Sequence, residues 1–139
     1  MKHFLLFSLL CVSSILVAQD PADIFHVTLE VDSVDEVSLD VYPGDSLRVE
    51  PWAGNHLLIE TSVMLHNGKQ NVLKFFREKG RWNLQDELTG KSLRLTSVDK
   101  ERRKVETDKG LTEEEVTVVV YLPEAFEKAG NSVWRRKQD

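Results

Sequence analysis

The sequence predicts a mostly β domain of seven or eight short strands, as a sandwich, a roll or a short β-helix, with one short amphipathic helix. Two observations predict it. Between Val34 and Leu65 the apolar residues Val37, Leu39, Val41, Leu47, Val49, Leu57, Ile59, Val63 and Leu65 all fall at odd positions, and their even neighbours are mostly polar. This period of two, punctuated by Pro43-Gly44 and Gly54-Asn55, marks half-buried strands. Farther on, Glu115 to Leu122 (EVTVVVYL) is apolar on nearly every residue, as a strand central in a sheet or covered on both faces should be, and Pro123 ends it.

The chain opens on a targeting segment. Lys2 and His3 precede Phe4 to Val17, an almost wholly apolar run, followed by Ala18 and the polar pair Gln19-Asp20. A basic start, an apolar core and a small residue before a polar stretch describe a secretory signal peptide over residues 1–18, cleaved near Ala18. The run is short of the roughly 20 residues a spanning helix needs. Cys11, the only cysteine, lies within it and follows Leu10, not the small residue a lipoprotein signal requires. The exported domain, residues 19–139, then has no cysteine, although it reaches a compartment that permits disulfides. The expected address is the periplasm or the exterior, with no stable membrane insertion of the mature chain.

The mature elements follow in order. Phe25, Val27, Leu29 and Val31 continue the odd parity in a first strand, and Ser33 to Glu36 make a polar turn. In a hairpin, residues facing one another share a face, so Val41 must oppose an odd residue such as Leu47. Pro43-Gly44-Asp45 is then a three-residue hairpin loop, and Val49 lies opposite Leu57 across Pro51 to Asn55. From Gln70 to Lys79 the period changes. Val72, Leu73, Phe75 and Phe76 among Lys69, Lys74, Arg77 and Lys79 make a short helix, with Asn67 as its cap and Gly80 as its stop. It reads as a lid that buries Phe75 and Phe76 on one end of the sheet. Trp82, Leu84 and Leu88, then Leu93 and Leu95, make two further strands around the turn Thr89-Gly90-Lys91. Lys100 to Lys104 is a solvated charged edge, Asp108-Lys109-Gly110 a turn, and Trp134 to Lys137 a frayed basic tail.

Charge divides the chain. Its 18 basic and 23 acidic residues give a net charge of −5, yet residues 19–68 contain a single base, Arg48. So acidic a first half excludes a general nucleic-acid binder, which needs a basic footprint. The simplest account places acidic and basic strands side by side across a sheet.

The search for chemistry returns little. There is no Gly-rich phosphate loop, nucleophile elbow or His-Glu-x-x-His pattern. His26, His56 and His66 sit at even positions and should face solvent. On one strand His56 and His66 would lie about 33 Å apart, too far to share a metal. Asp32, Asp35 and Glu36 crowd one turn without an EF-hand pattern, and Trp52 reads as a loop residue folded back over the sheet end. No catalytic residue, cofactor or metal ligand is assigned.

Phe25-x-Val27, VDEVSLDVYPGDSLRVEP and HLLIETSVML together resemble the opening rung of GIN-type and related adhesin-like domains. These are exported bacterial envelope proteins common in the Bacteroidetes, with parallel β-helical or β-roll folds. The resemblance spans about residues 24–66, and EVTVVVYLP is similar to a later strand of such domains. The family's Gly- and Ser-rich ladder is absent here, and a helix interrupts the strands. The expected function is a non-catalytic exported module that binds an envelope protein or a surface glycan. The competing expectation is a small exported enzyme or ligand carrier working at the sheet end near Trp52.

Overall fold

The structure, a computed structural model, describes residues 19–139. The expected signal peptide with Cys11 lies outside the described residues. Eleven strands and one helix follow in order: β1 (Ala22–Glu30), β2 (Glu36–Asp40), β3 (Ser46–Trp52), β4 (His56–His66), α1 (Gln70–Glu78), β5 (Leu84–Thr89), β6 (Ser92–Ser97), β7 (Glu106–Thr107), β8 (Gly110–Leu111), β9 (Glu113–Pro123), β10 (Phe126–Gly130) and β11 (Val133–Arg136). The mostly β class with one short helix is as the periodicity predicts. The count exceeds eight because two-residue strands and the last two hairpin arms carry no alternating signal.

One sheet runs β1-β4-β9-β3 and the other β10-β11-β2-β6-β5, with β7-β8 a separate small ladder. Both sheets feed one core, through odd residues in β1, β2, β4 and β6 and through the even Val116, Val118, Val120 and Leu122 in β9. Phe25, Leu57, Ile59, Val63 and Leu65 enter from the first sheet, and Val37, Leu39, Leu93 and Leu95 from the second. Of the architectures open to the sequence, the chain therefore forms the sandwich. The apolar β9 is central, with β4 antiparallel on one side and β3 parallel on the other. Even Val119, on its outward face, is buried.

The two predicted hairpins do not form. β2 pairs with β6 and β11 in one sheet, while β3 pairs with β9 in the other. Pro43 to Asp45 thus carry the chain between sheets, in a turn closed by the Asp45 N–H on the Tyr42 carbonyl at 3.0 Å. Nor does Val49 face Leu57, because Val120 of β9 lies between Val49 and Ile59. Alternation tells which face of a strand is apolar but not which strand is its neighbour.

The helix ends as predicted, with Gly80 at a φ of +73°. Its start differs. Lys69 occupies the N-cap without a side-chain bond, and Asn67, at a φ of 57°, donates its amide to the carbonyls of Lys109 at 2.8 Å and Leu111 at 3.2 Å. Leu73 is buried, and Val72 and Phe76 pack on the core, whereas Phe75 is 52% exposed and meets Phe76 edge-on. The lid buries only the face that Leu73 and Phe76 share. Leu88 is also exposed, because β5 is the outermost strand of its sheet. The β5–β6 hairpin turns through Gly90-Lys91, with Gly90 at a φ of +62°.

The expected frayed basic tail is a strand. β11 lies between β10 and β2, and Trp134 packs against the core. Arg136 donates to the carbonyls of Val34 at 3.0 Å and Val31 at 2.7 Å, and stands over the Phe126 ring. A cation at a chain end looks solvated in sequence, but here loop carbonyls need its donors.

Candidate functional site

Charge pairing across the fold absorbs most of the acidic half. Asp40 of β2 accepts from Arg94 of β6 at 2.9 Å and from Lys100, and these two cations, Lys100 above all, hold its carboxyl below the usual range. Glu36 meets Arg135 at 2.9 Å, and Asp35 meets Lys91 at 3.5 Å and Arg136 at 3.9 Å. The turn that crowds Asp32, Asp35 and Glu36 is thus faced by cations of the second half. No group of three or more His, Cys, Asp or Glu residues suited to a metal occurs among the described residues.

The deepest charge lies where the sequence pointed to a solvated edge. Arg102, in the run Lys100 to Lys104, donates through both terminal nitrogens to Asp45, at 2.6 and 2.8 Å. The two side chains are 2% and 3% exposed. Its guanidinium also stands 4.5 Å from the centre of the Tyr42 ring. Tyr42 folds across its own turn, and a Cβ on Gly44 would meet that ring at 2.5 Å. Burial pushes the Asp45 carboxyl up, Arg102 works against that, and nearby Glu114 adds to it. Beside this pair, Arg81 donates to Glu114 at 2.6 and 3.1 Å and to the Arg103 carbonyl at 2.7 Å, while the Trp82 indole reaches Glu114 at 2.9 Å. Tyr42, Asp45, Arg102 and Glu114 border a concavity of about 310 Å³ rimmed by Lys104 and Glu113. Both central carboxylates are held by guanidinium forks, an arrangement that anchors the 99–105 loop.

The Trp52 end is arranged differently. The Trp52 indole donates to the His56 carbonyl at 2.8 Å, its ring lies 6.0 Å from Tyr121, and Gly54 leaves room for it to fold over the loop. The hollow beside it, about 240 Å³, includes Asp32, Glu124 and Arg136. The three histidines take the outer face of the first sheet, as their parity predicts. His26 meets Glu60 at 2.8 Å and His56 meets Asn55 at 2.7 Å. His66 bridges Asp20 at 2.9 Å and Glu115 at 2.7 Å, and these carboxylates, Glu115 first, raise its pKa above the usual 6.5.

The third place is an open groove on the side of the sandwich. It lies between β3, the edge of the first sheet, and the β10–β11 hairpin at the edge of the second. Two adjoining hollows of about 190 and 460 Å³ share Val49, Lys128 and Trp134 as walls. Leu47, Asn131 and Ser132 extend one, and Pro51, Phe126 and Glu127 the other. Ser132 turns the hairpin at a φ of 57°, and a register shift between Lys128 and Gly130 bends β10. Leu47, Val49 and Trp134 are core-packing residues left partly open here. Sequence reasoning missed this site because Trp134 stood in a run read as tail. Leu47 and Val49 were read correctly as inward-facing, but nothing local shows that their strand is an edge.

The chain is thus a two-sheet β-sandwich with a paired-charge anchor on one flank and a groove of mixed apolar and polar lining on another. No family model, no curated protein and no solved structure matches it.

Proposed function

We propose that this is a non-catalytic exported module of the envelope or the cell exterior, adhesin-like in role, which binds an envelope protein or a surface glycan in the β3/β10–β11 groove. One observation carries the reading: Trp134 lies in an open cleft where it and the apolar Leu47 and Val49 adjoin the polar Lys128, Asn131 and Ser132. An aromatic face flanked by a few polar groups is the usual chemistry of a recognition cleft. The carboxylate that burial perturbs upward, Asp45, is held at both oxygens by Arg102, a structural pairing and not a poised acid or base. Among the described residues no helix is long and apolar enough to cross a membrane. The leader at residues 1–18 supplies the export.

Affinity capture from the organism's own envelope fraction, with the tagged protein as bait, tests this. A partner or glycan retained by the wild type and lost with both Trp134→Ala and Lys128→Glu is the expected result. Capture that survives both substitutions moves the site elsewhere. A turnover of any captured small molecule would replace the binding role with an enzymatic one.

A further inference from the structure

We infer that β3 is a self-pairing edge through which two copies of this chain join their first sheets into one continuous sheet. The sandwich has four outer strands: β1 and β3 in one sheet, β5 and β10 in the other. An open edge invites another strand, and cross-strand charges decide which register is allowed. β5 carries Asp86 and Glu87 without a base, so antiparallel self-pairing sets acid beside acid. β1 carries Asp23 and Glu30, again without Lys or Arg, and α1 lies against it with Arg77 over the Phe25 ring at 3.6 Å. In β10, Glu127 and Lys128 adjoin and so point to opposite faces. Matching them would set one copy's inner face against the other's outer face.

β3 differs from all three. Its sequence is SLRVEPW, with Arg48 and Glu50 on the same outward face on either side of Val49. Their side chains are 64% and 47% exposed and meet one another at 3.4 Å within the strand, an exposed contact that the joint exchanges for two across it. Antiparallel pairing about a two-fold axis at Val49 sets Arg48 opposite Glu50 of the second copy, and Glu50 opposite its Arg48. On the other face Leu47 meets Pro51. Sliding by one pairing step in either direction places Arg48 against Arg48 or Glu50 against Glu50. The charges thus select one register and oppose its neighbours.

The main chain agrees. The Glu124 N–H bonds to the Trp52 carbonyl, so the even residues of β3 turn their main-chain groups toward β9. In a parallel ladder the alternate residues, Leu47, Val49 and Pro51, turn theirs to the open edge. Pro51, which has no N–H, therefore costs the β3–β9 ladder nothing. In the selected register the Val49 N–H of each copy meets the Val49 carbonyl of the other and each Leu47 N–H meets a Pro51 carbonyl, while each Leu47 carbonyl faces the Pro51 ring and gains no N–H, so the joint is a short one centred on Val49. The joint also brings together the two grooves, whose Leu47 and Val49 walls become neighbours. This inference does not rest on what the groove binds, since the pairing needs no ligand.

Sedimentation velocity of the purified protein over a concentration series tests it without any partner present. The wild type is expected to show a monomer–dimer equilibrium. R48E and E50R should each weaken association about tenfold or more, because two favourable pairs become two repulsive ones. The double exchange R48E/E50R should restore dimers, and an equimolar mixture of the two single variants should form mixed dimers. Circular dichroism of each variant controls for folding, which exposed substitutions leave intact. A wild type that stays monomeric up to about 1 mM, or dimers indifferent to both single substitutions, would overturn the inference.

Discussion

Arg102 stands in a run of charged residues, yet its guanidinium is enclosed with Asp45, under the Tyr42 ring and beside the 99–105 loop. Taking both ions from water is costly, and their fork geometry recovers that cost only while both are present. Arg102→Ala should therefore destabilise the fold by about 3–5 kcal/mol in urea titration, through the buried carboxylate it leaves behind. Asp45→Leu combined with Arg102→Met should recover most of that loss. A single variant within about 0.5 kcal/mol of wild type would show the pair to be solvated. His66 gives a pH-dependent counterpart. Only its imidazolium can donate from both nitrogens, to Asp20 and to Glu115, and its pKa is accordingly raised. A raised histidine pKa adds stability that is whole below 6.5 and fades as pH climbs through the higher folded value. The thermal midpoints of wild type and His66→Gln should differ most at acid pH within the folded range and converge above that window. A gap unchanged from about pH 5.5 to 8.5 would contradict the bridge.

Among the elements, β11 departs furthest from its local sequence. Trp134-Arg135-Arg136 has no alternation to mark a strand, yet it pairs on both edges and closes the second sheet over the core. Ending the chain after Ser132 removes two ladders, the partial burial of Trp134 and the bonds of Arg136 to Val31 and Val34. Those losses are on the order of 5 kcal/mol, comparable with the whole stability of a small domain. The truncated protein should show no cooperative melting transition by circular dichroism. A true fraying tail would leave the midpoint within a degree or two. The helix was more legible, since spacing of three and four is a local property and Gly80 ends it where the sequence indicates. Its exposed Phe75 was not, because the width of the buried face depends on how closely β1 approaches.

For the molecule as a whole, the proposed address precedes the fold. Phe4 to Val17 has the length and composition expected of an export signal, and on the proposed reading the exported protein should begin at Gln19 and carry no lipid. N-terminal sequencing of periplasmic and extracellular fractions, allowing for cyclisation of Gln19, is the direct check. Recovery only from membranes, with Met1 intact or Cys11 acylated, would refute it. The charge asymmetry is a whole-molecule property too. Asp23 with Arg77, Glu36 with Arg135, Asp40 with Arg94 and Asp45 with Arg102 each join the acidic first half to the basic second. The chain's two halves are complementary because the fold interleaves them, with β9 between β3 and β4, and β11 and β6 on either side of β2.

What the sequence determined by itself is the set of faces. Period-two alternation placed Phe25, Val37, Leu39, Ile59 and Leu65 in the core and the histidines outside, because side-chain direction in a strand depends only on residue parity. The nearly unbroken apolar run of β9 marked a strand central in its sheet or covered on both faces, and β9 is central. Tertiary structure alone decided the neighbours. Pairing β2 with β6 and β3 with β9 satisfies the same alternation as the two hairpins would, so only packing over the shared core separates them. The same is true of the site. Lys100, Arg102, Arg103 and Lys104 are alike as cations in sequence, and it is the cavity beside Tyr42 and Asp45 that encloses one of them. Trp134 and the open edge of β3 make a groove because the strands of the two sheets stop short of one another there, and no local stretch of sequence encodes that gap.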